Sequence, residues 1–233
     1  MTTVSVLPAV YAIIEEPAAG YVVCRNGVVI KTPKGNWLTV SNVPLAEALV
    51  AELRSSGQKL DAVNTPLTQL AYTAIDVIGK THKETVDQLA AYANSELLCH
   101  RAEDAELAAE QKKVWQPLLD WCQDTFNAPL QEATSVMPII QPAASINALR
   151  RVIDVCDKFQ LAGLSQAVTV SGSLILGLAL AAKRLDAESV YAVAELDTKH
   201  QMKKWGEDPE ATARHEAIKR DLSICERWFN LLP

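Results

Sequence analysis

The sequence predicts an α+β N-terminal domain, a small antiparallel sheet with short helices, followed by an all-α helical C-terminal domain. Three observations carry this. Asn26-Gly27 separates two runs of β-formers, and Asn-Gly in that setting is a strong hairpin signal. From about residue 80 onward, apolar residues recur at three and four positions, the helical period. Aromatic residues make up only 6% while Ala, Leu and Val dominate, a composition that leans helical. The expected domains are 1–82 and 83–233.

Taken in order, Met1 to Glu16 holds an apolar run from Val4 to Ile14, interrupted by Pro8 and lacking a basic leader. A secretory signal is therefore not expected. No arginine precedes Arg25, while Glu15 and Glu16 are present, which argues against a mitochondrial presequence; a cytoplasmic location is expected. Tyr21–Cys24 and Val28–Ile30 form the hairpin around Arg25-Asn26-Gly27. Pro33-Lys34-Gly35-Asn36 turns the chain into a third strand, Trp37–Val40. Pro44 opens a short amphipathic helix over Leu45–Arg54 that closes near Gly57, and Pro66 opens a second.

In the helical region Val86, Leu89, Ala93 and Leu97 form one stripe, and Leu107, Val114, Trp115, Leu118, Cys122 and Phe126 another. Pro117 is expected to kink or restart the latter. A loop from Pro129 to Pro142 precedes the stripe Ile146, Leu149, Ile153 and Cys156. Phe159–Ala182 carries no charge and is expected as a buried central helix, with a membrane span as the alternative that its length admits. Asp186 caps a helix running to about Lys204 and ended by Gly206. Asp208-Pro209-Glu210 then starts the last helix, with Ile218, Leu222, Cys225, Phe229 and Leu232 on one face.

Chemistry is sparse. The formal charge of −6 disfavours a nucleic-acid binder. Five cysteines without a CxxC pair read as reduced core thiols rather than a zinc site. The four histidines have no metal-ligand spacing, and His200 and His215 are expected in solvent among charges. No phosphate-binding glycine loop is present, so no cofactor and no nucleotide are expected. Gly163-Leu164-Ser165-Gln166-Ala167 resembles a nucleophile elbow without its second glycine or its strand, so a serine hydrolase built on Ser165 or Ser173 is a rival reading only. Arg101 is expected to pair with a carboxylate, and Trp115 and Trp205 to fill the core.

Several stretches resemble one family. "SELLCHRAED" (95–104), Gln111 and Trp115 before "PLLDW" (117–121), "GSLILGLAL" (172–180) and Glu195-Leu196-Asp197 with Gln201 and Trp205-Gly206-Glu207-Asp208 occur in order. They follow "NGVVIKTP" (26–33), "LAEALVAEL" (45–53) and "TPLTQLAYTAID" (65–76). Together they resemble the ATP synthase assembly chaperones that hold the α subunit of the catalytic head, the "ATP twelve" family, from about Gly20 to Leu232. The resemblance implies a two-domain, ATP-independent chaperone that catalyses no reaction. Such a chaperone binds the unassembled α subunit, shields its β-facing surface and is displaced by β, with no stable membrane insertion. Its relatives lie in the bacterial cytoplasm or the mitochondrial matrix. It further implies a functional acid at Asp197, where some members carry glutamate, with Gln201, Trp205, Glu207 and Asp208 as the other partner-binding candidates. Leu53-Arg54 stands where the family often has tryptophan and an acid, and Thr65 and Tyr72 also depart from common family choices. Residues 1–83 carry net charge +1 and residues 84–233 net −7, so the acidity lies in the helical part, as a face that steers a protein partner would require.

Overall fold

The computed structural model describes residues 10–17, 20–57, 63–134, 139–206 and 209–233. The chain divides into two compact units, Met1–Lys80 with Asn230–Pro233, and Thr81–Phe229. A four-stranded antiparallel sheet lies in the first unit and helices make up the second, the expected fold class.

In the first unit, β1 (Tyr11–Glu16) pairs with β2 (Gly20–Arg25), and β2 turns through Asn26 and Gly27 into β3 (Val28–Val29). Both turn residues have positive φ, 52° and 76°, which is what a two-residue hairpin of this hand demands. At Val23 the far edge of β2 passes from one strand to the next. Its carbonyl accepts from Ile30 (2.9 Å) while its N–H donates to Leu38 (3.0 Å), ahead of β4 (Thr39–Val40). β1 was not expected as a strand, because Tyr-Ala-Ile-Ile-Glu-Glu lacks clean alternation. Its return into β2 depends on Gly20, where a Cβ would lie 2.5 Å from the Val40 carbonyl oxygen.

Helix α1 (Val43–Ser55) starts at Asn42, whose side-chain oxygen accepts the Leu45 N–H at 2.8 Å, and it buries Leu45, Leu49 and Leu53. Leu53 thus serves the core, while the Arg54 guanidinium donates to the Tyr11 carbonyl (3.2 Å). The buried Glu52 carboxylate accepts the N–H groups of Leu67 (2.8 Å) and Thr68 (2.7 Å), capping α2 (Pro66–Thr73) from the neighbouring helix. A π-turn over Ala74–Ile78 then brings Asp76 against the Thr32–Asn36 turn. Burial works to raise its carboxyl pKa, but donation from the Thr32 hydroxyl (2.6 Å), Asn36 (2.7 Å) and the Lys34 N–H (3.0 Å) outweighs it and holds Asp76 below the usual range.

The second unit runs from α3 (His82–Ala91), through two 3₁₀ turns at Tyr92–Ser95 and Leu97–Cys99, into α4 (Ala105–Phe126). Of the two outcomes expected at Pro117, a restart does not occur: α4 continues through it for 22 residues. Pro117 and Lys113 face solvent, so water can take the carbonyl that proline leaves unbonded, while Leu107, Trp115, Leu118 and Cys122 remain buried along the other face.

Helices α5 (Ala143–Asp154), α6 (Lys158–Ser171) and α7 (Leu174–Ala181) follow. The uncharged stretch is therefore two helices, broken at Gly172 with φ 68°. Among the described residues no helix is long and apolar enough to cross a membrane, which removes the single-pass alternative for 159–182. Neither candidate serine sits on a nucleophile elbow. Ser165 lies in mid-helix rather than on a strand-to-helix turn, and the buried Ser173 caps α7 by accepting the Leu176 N–H (3.0 Å).

The break also explains a buried acid. Glu96, 1% exposed, receives the Ser173 hydroxyl and the N–H groups of Leu174 (2.9 Å) and Ile175 (3.3 Å) at the start of α7. Burial raises its pKa to about 7 against those four hydrogen bonds, the fourth from Leu98. The folded chain thus holds a proton that the unfolded chain releases near pH 4.5, the ordinary glutamate value. Because the folded pKa is the higher one, Glu96 makes stability fall as pH rises from about 4.5 to about 7. The expected result is a urea midpoint that declines over this window more steeply in the wild type than in Glu96→Gln, which does not titrate; equal slopes would refute it.

The chain continues through α8 (Ala187–Ala194), α9 (Leu196–Trp205) and α10 (Pro209–Leu231). The helix expected from Asp186 to Lys204 is divided at Glu195. That residue is buried toward α10, with its carboxylate 3.7 Å from Arg214 and 3.9 Å from His215. His215 is buried rather than solvent-facing, and its Nδ1 lies 2.6 Å from the Tyr191 hydroxyl. All five cysteines are free. Burial drives the thiols of Cys99, Cys122 and Cys225 up to about 12, consistent with inert core residues.

Candidate functional site

Helix α9 runs antiparallel along the first half of α4, and three contacts fix the register. Lys204 Nζ meets Asp104 Oδ2 at 3.1 Å, Gln111 Nε2 donates to Asp197 Oδ1 at 2.8 Å, and Trp115 Nε1 donates to the Val193 carbonyl at 3.1 Å. Asp104 is also the cap of α4. The Leu107 N–H, and next Lys204, hold its carboxyl below the usual range. The α4 side is braced by Arg101, which bonds Glu132 (2.8 Å) and Gln116 (3.1 Å) and stands 5.5 Å from the centre of the Trp115 ring.

Of the five candidate residues, the structure brings three together. Asp197, Gln201 and Trp205 are four apart on α9 and so share one face of the helix. Asp197 is half-buried and Gln201 exposed. Trp205, expected in the core, is 75% exposed, because it ends α9 where Gly206 (φ 93°) turns the chain away. Glu207 and Asp208 lie outside the described residues.

Electrostatics distinguish Asp197 from its neighbours. Asp104 and Glu132 each have a cation, while Asp197 has only the neutral Gln111 amide as a partner among the described residues. An acid held in place without a counter-charge can receive a cation or hydrogen-bond donor from another molecule. From sequence, the fully buried Gln111 belongs to a helical spacing and to the family-like stretch before "PLLDW", with no partner assigned. A polar residue between Leu107 and Trp115 on a buried stripe was the available signal.

Other features carry less chemistry. A groove of about 470 Å³ has Tyr191 flanked by Lys199 and Lys219, whose ammonium groups lie 4.4 and 5.0 Å from its ring centre. Glu188 lines the same groove and Glu216 bonds Lys219 at 2.8 Å, so its charges balance. Among the described residues, no group of three His, Cys, Asp or Glu side chains could hold a metal ion.

A family model described as ATP12 chaperone protein matches residues 9–123. Across nearly the whole chain, the crystal structure of Atp12 from Paracoccus denitrificans matches with a TM-score of 0.91 and 31% identity, covering 96% of both chains. The chain belongs to the ATP12 chaperone family. A solved aspartate-to-lysine mutant of P. denitrificans Atp12p matches at 30% identity and TM-score 0.90, covering 95% of this chain and 94% of that one. A structure from Agrobacterium tumefaciens matches at 29% identity and TM-score 0.89, covering 96% and 84%. As an ATP12-family member the chain is an assembly chaperone, and the complex this family serves is the ATP synthase.

Proposed function

We propose that this ATP12-family chaperone binds the unassembled α subunit of the ATP synthase head, shields its β-facing surface and is displaced when β arrives. No nucleotide and no covalent step are needed. An unassembled subunit exposes a large apolar contact surface, which aggregates until covered. A chaperone that binds that surface more weakly than β does is released by competition alone. This takes place in the bacterial cytoplasm, or in the matrix for mitochondrial relatives.

The observation that carries this reading is the α9 face. Asp197 presents a carboxylate without a counter-charge, Trp205 presents an exposed indole two turns further on, and Gln201 lies between them. Exposed tryptophan beside a positioned charge is the composition of a protein-binding hot spot. Glu207 and Asp208 extend the acidic character along the sequence. Co-expression tests the reading: α subunit produced alone should sediment as aggregate, and should stay soluble with this chain until β is added. Recovery of soluble α subunit at the same level without the chaperone would overturn it.

A further inference from the structure

Resting on that reading of α9, the geometry points to Gln111 as the residue that positions Asp197 for its partner. Gln111 lies on α4 rather than on the binding face, and it is fully buried. Its carboxamide is fixed at both ends. Oε1 accepts the Ala102 N–H at 2.8 Å, which settles the orientation of the amide and turns Nε2 toward Asp197 Oδ1, also at 2.8 Å. Ala102 is in turn held by the segment next to it, where the Arg101 N–H donates to the Ala133 carbonyl (2.9 Å) and the Arg101 guanidinium bonds Glu132 (2.8 Å).

The placement is not a lone contact. Gln111 and Trp115 are four residues apart on α4, and their partners, Asp197 and Val193, are four apart across the break at Glu195. One face of α4 therefore grips the α8–α9 corner at two successive turns. Trp115 fixes the backbone there, and Gln111 fixes the carboxylate. A neutral amide suits this task, because it orients Asp197 without cancelling its charge, whereas lysine or arginine at position 111 would neutralise the acid. Asp197 keeps a second oxygen that accepts no hydrogen bond among the described residues. The expected partner group is a cation or N–H donor of the client, meeting a carboxylate whose rotamer is already set. Pre-ordering of this kind raises affinity by removing the cost of fixing the side chain on binding.

Gln111→Glu separates positioning from packing. It keeps the shape and the acceptor for Ala102, but replaces the donor facing Asp197 with a second carboxylate. The expected result is α-subunit binding weakened about tenfold or more at pH 8. Binding should recover as the pH is lowered toward 5.5, where the two acids share a proton, and the wild type should show no such recovery. Gln111→Met, which removes both hydrogen bonds at similar volume, should weaken binding at every pH without the recovery. If folded Gln111→Glu and Gln111→Met both bind within threefold of the wild type while Asp197→Lys does not bind, the positioning role is wrong and the reading of Asp197 stands. If Asp197→Lys itself binds normally, that reading fails instead. Failure of both Gln111 variants to fold would make Gln111 a structural residue and overturn the inference.

Discussion

Trp228→Ala is expected to lower the unfolding free energy by about 3–5 kcal/mol, the range for removing a large buried aromatic side chain. Trp228 is fully buried on α10, and its indole N–H donates to the Phe159 carbonyl at 2.9 Å. The alanine variant loses the packing of the whole ring and the indole's hydrogen bond to that carbonyl as well. The ring sits over Gly163 of α6, where an added Cβ would lie 2.6 Å from Trp228 Cδ1 and 2.9 Å from Phe229 Cε1. Gly163→Ala alone should therefore cost about 1–3 kcal/mol through overpacking. In the Trp228→Ala background the closest clash is gone, so the same methyl should cost markedly less. A double-mutant cycle by urea unfolding reads this coupling directly. Strict additivity of the two changes would contradict the packing described for α6 against α10.

Asp197→Lys is expected to weaken binding of the α subunit about 100-fold or more, in the range for reversing a charge that meets a partner's donor. The cost to the fold should be small, up to about 2 kcal/mol, because it leaves the buried Gln111 amide without its acceptor at 2.8 Å. Asp197→Asn refines the test. Its side-chain oxygen can still accept from Gln111, so stability should stay at the wild-type level while binding falls about tenfold for loss of the charge alone. Affinity by titration calorimetry, with thermal melts on the same samples, separates the two effects. An Asp197→Lys variant that melts far below the wild type would make this acid structural rather than partner-facing.

The sequence made some elements legible for identifiable reasons. Asn26-Gly27 specified the hairpin because few other pairs tolerate two positive φ angles in succession. Pro66 marked the start of α2, and Asp186 that of α8, where it accepts the Ser189 N–H at 2.8 Å. The misses share a cause, which is that partners distant in sequence decide them. Glu96 reaches 77 residues ahead to Ser173 at the break between α6 and α7, and no local pattern announces that. Glu195, where α8 gives way to α9, is buried beside His215, with the exposed Arg214 3.7 Å from its carboxylate, both on another helix. His215 was misplaced for the same reason, since its neighbours in sequence are charged while its neighbours in space are Tyr191 and Glu195.

The α9 face was only partly legible. Four-residue spacing makes Asp197, Gln201 and Trp205 one stripe, and a family resemblance drew attention to it. The exposure of Trp205 could not be read from its type, because a large aromatic residue is more often core. Nor could Gln111 be linked to Asp197, 86 residues away, before α4 and α9 were seen side by side.

Cross-linking mass spectrometry of the complex with the α subunit tests the central claim most directly. Lys203 and Lys204 stand exposed on α9 between Gln201 and the end of the helix, within reach of any protein seated on the Asp197–Trp205 face. The expected result is dominant links from these two lysines to the β-facing surface of the α subunit, lost when β is added. Links confined to Lys31, Lys34 and Lys80 of the sheet-bearing unit, with none from α9, would contradict the account.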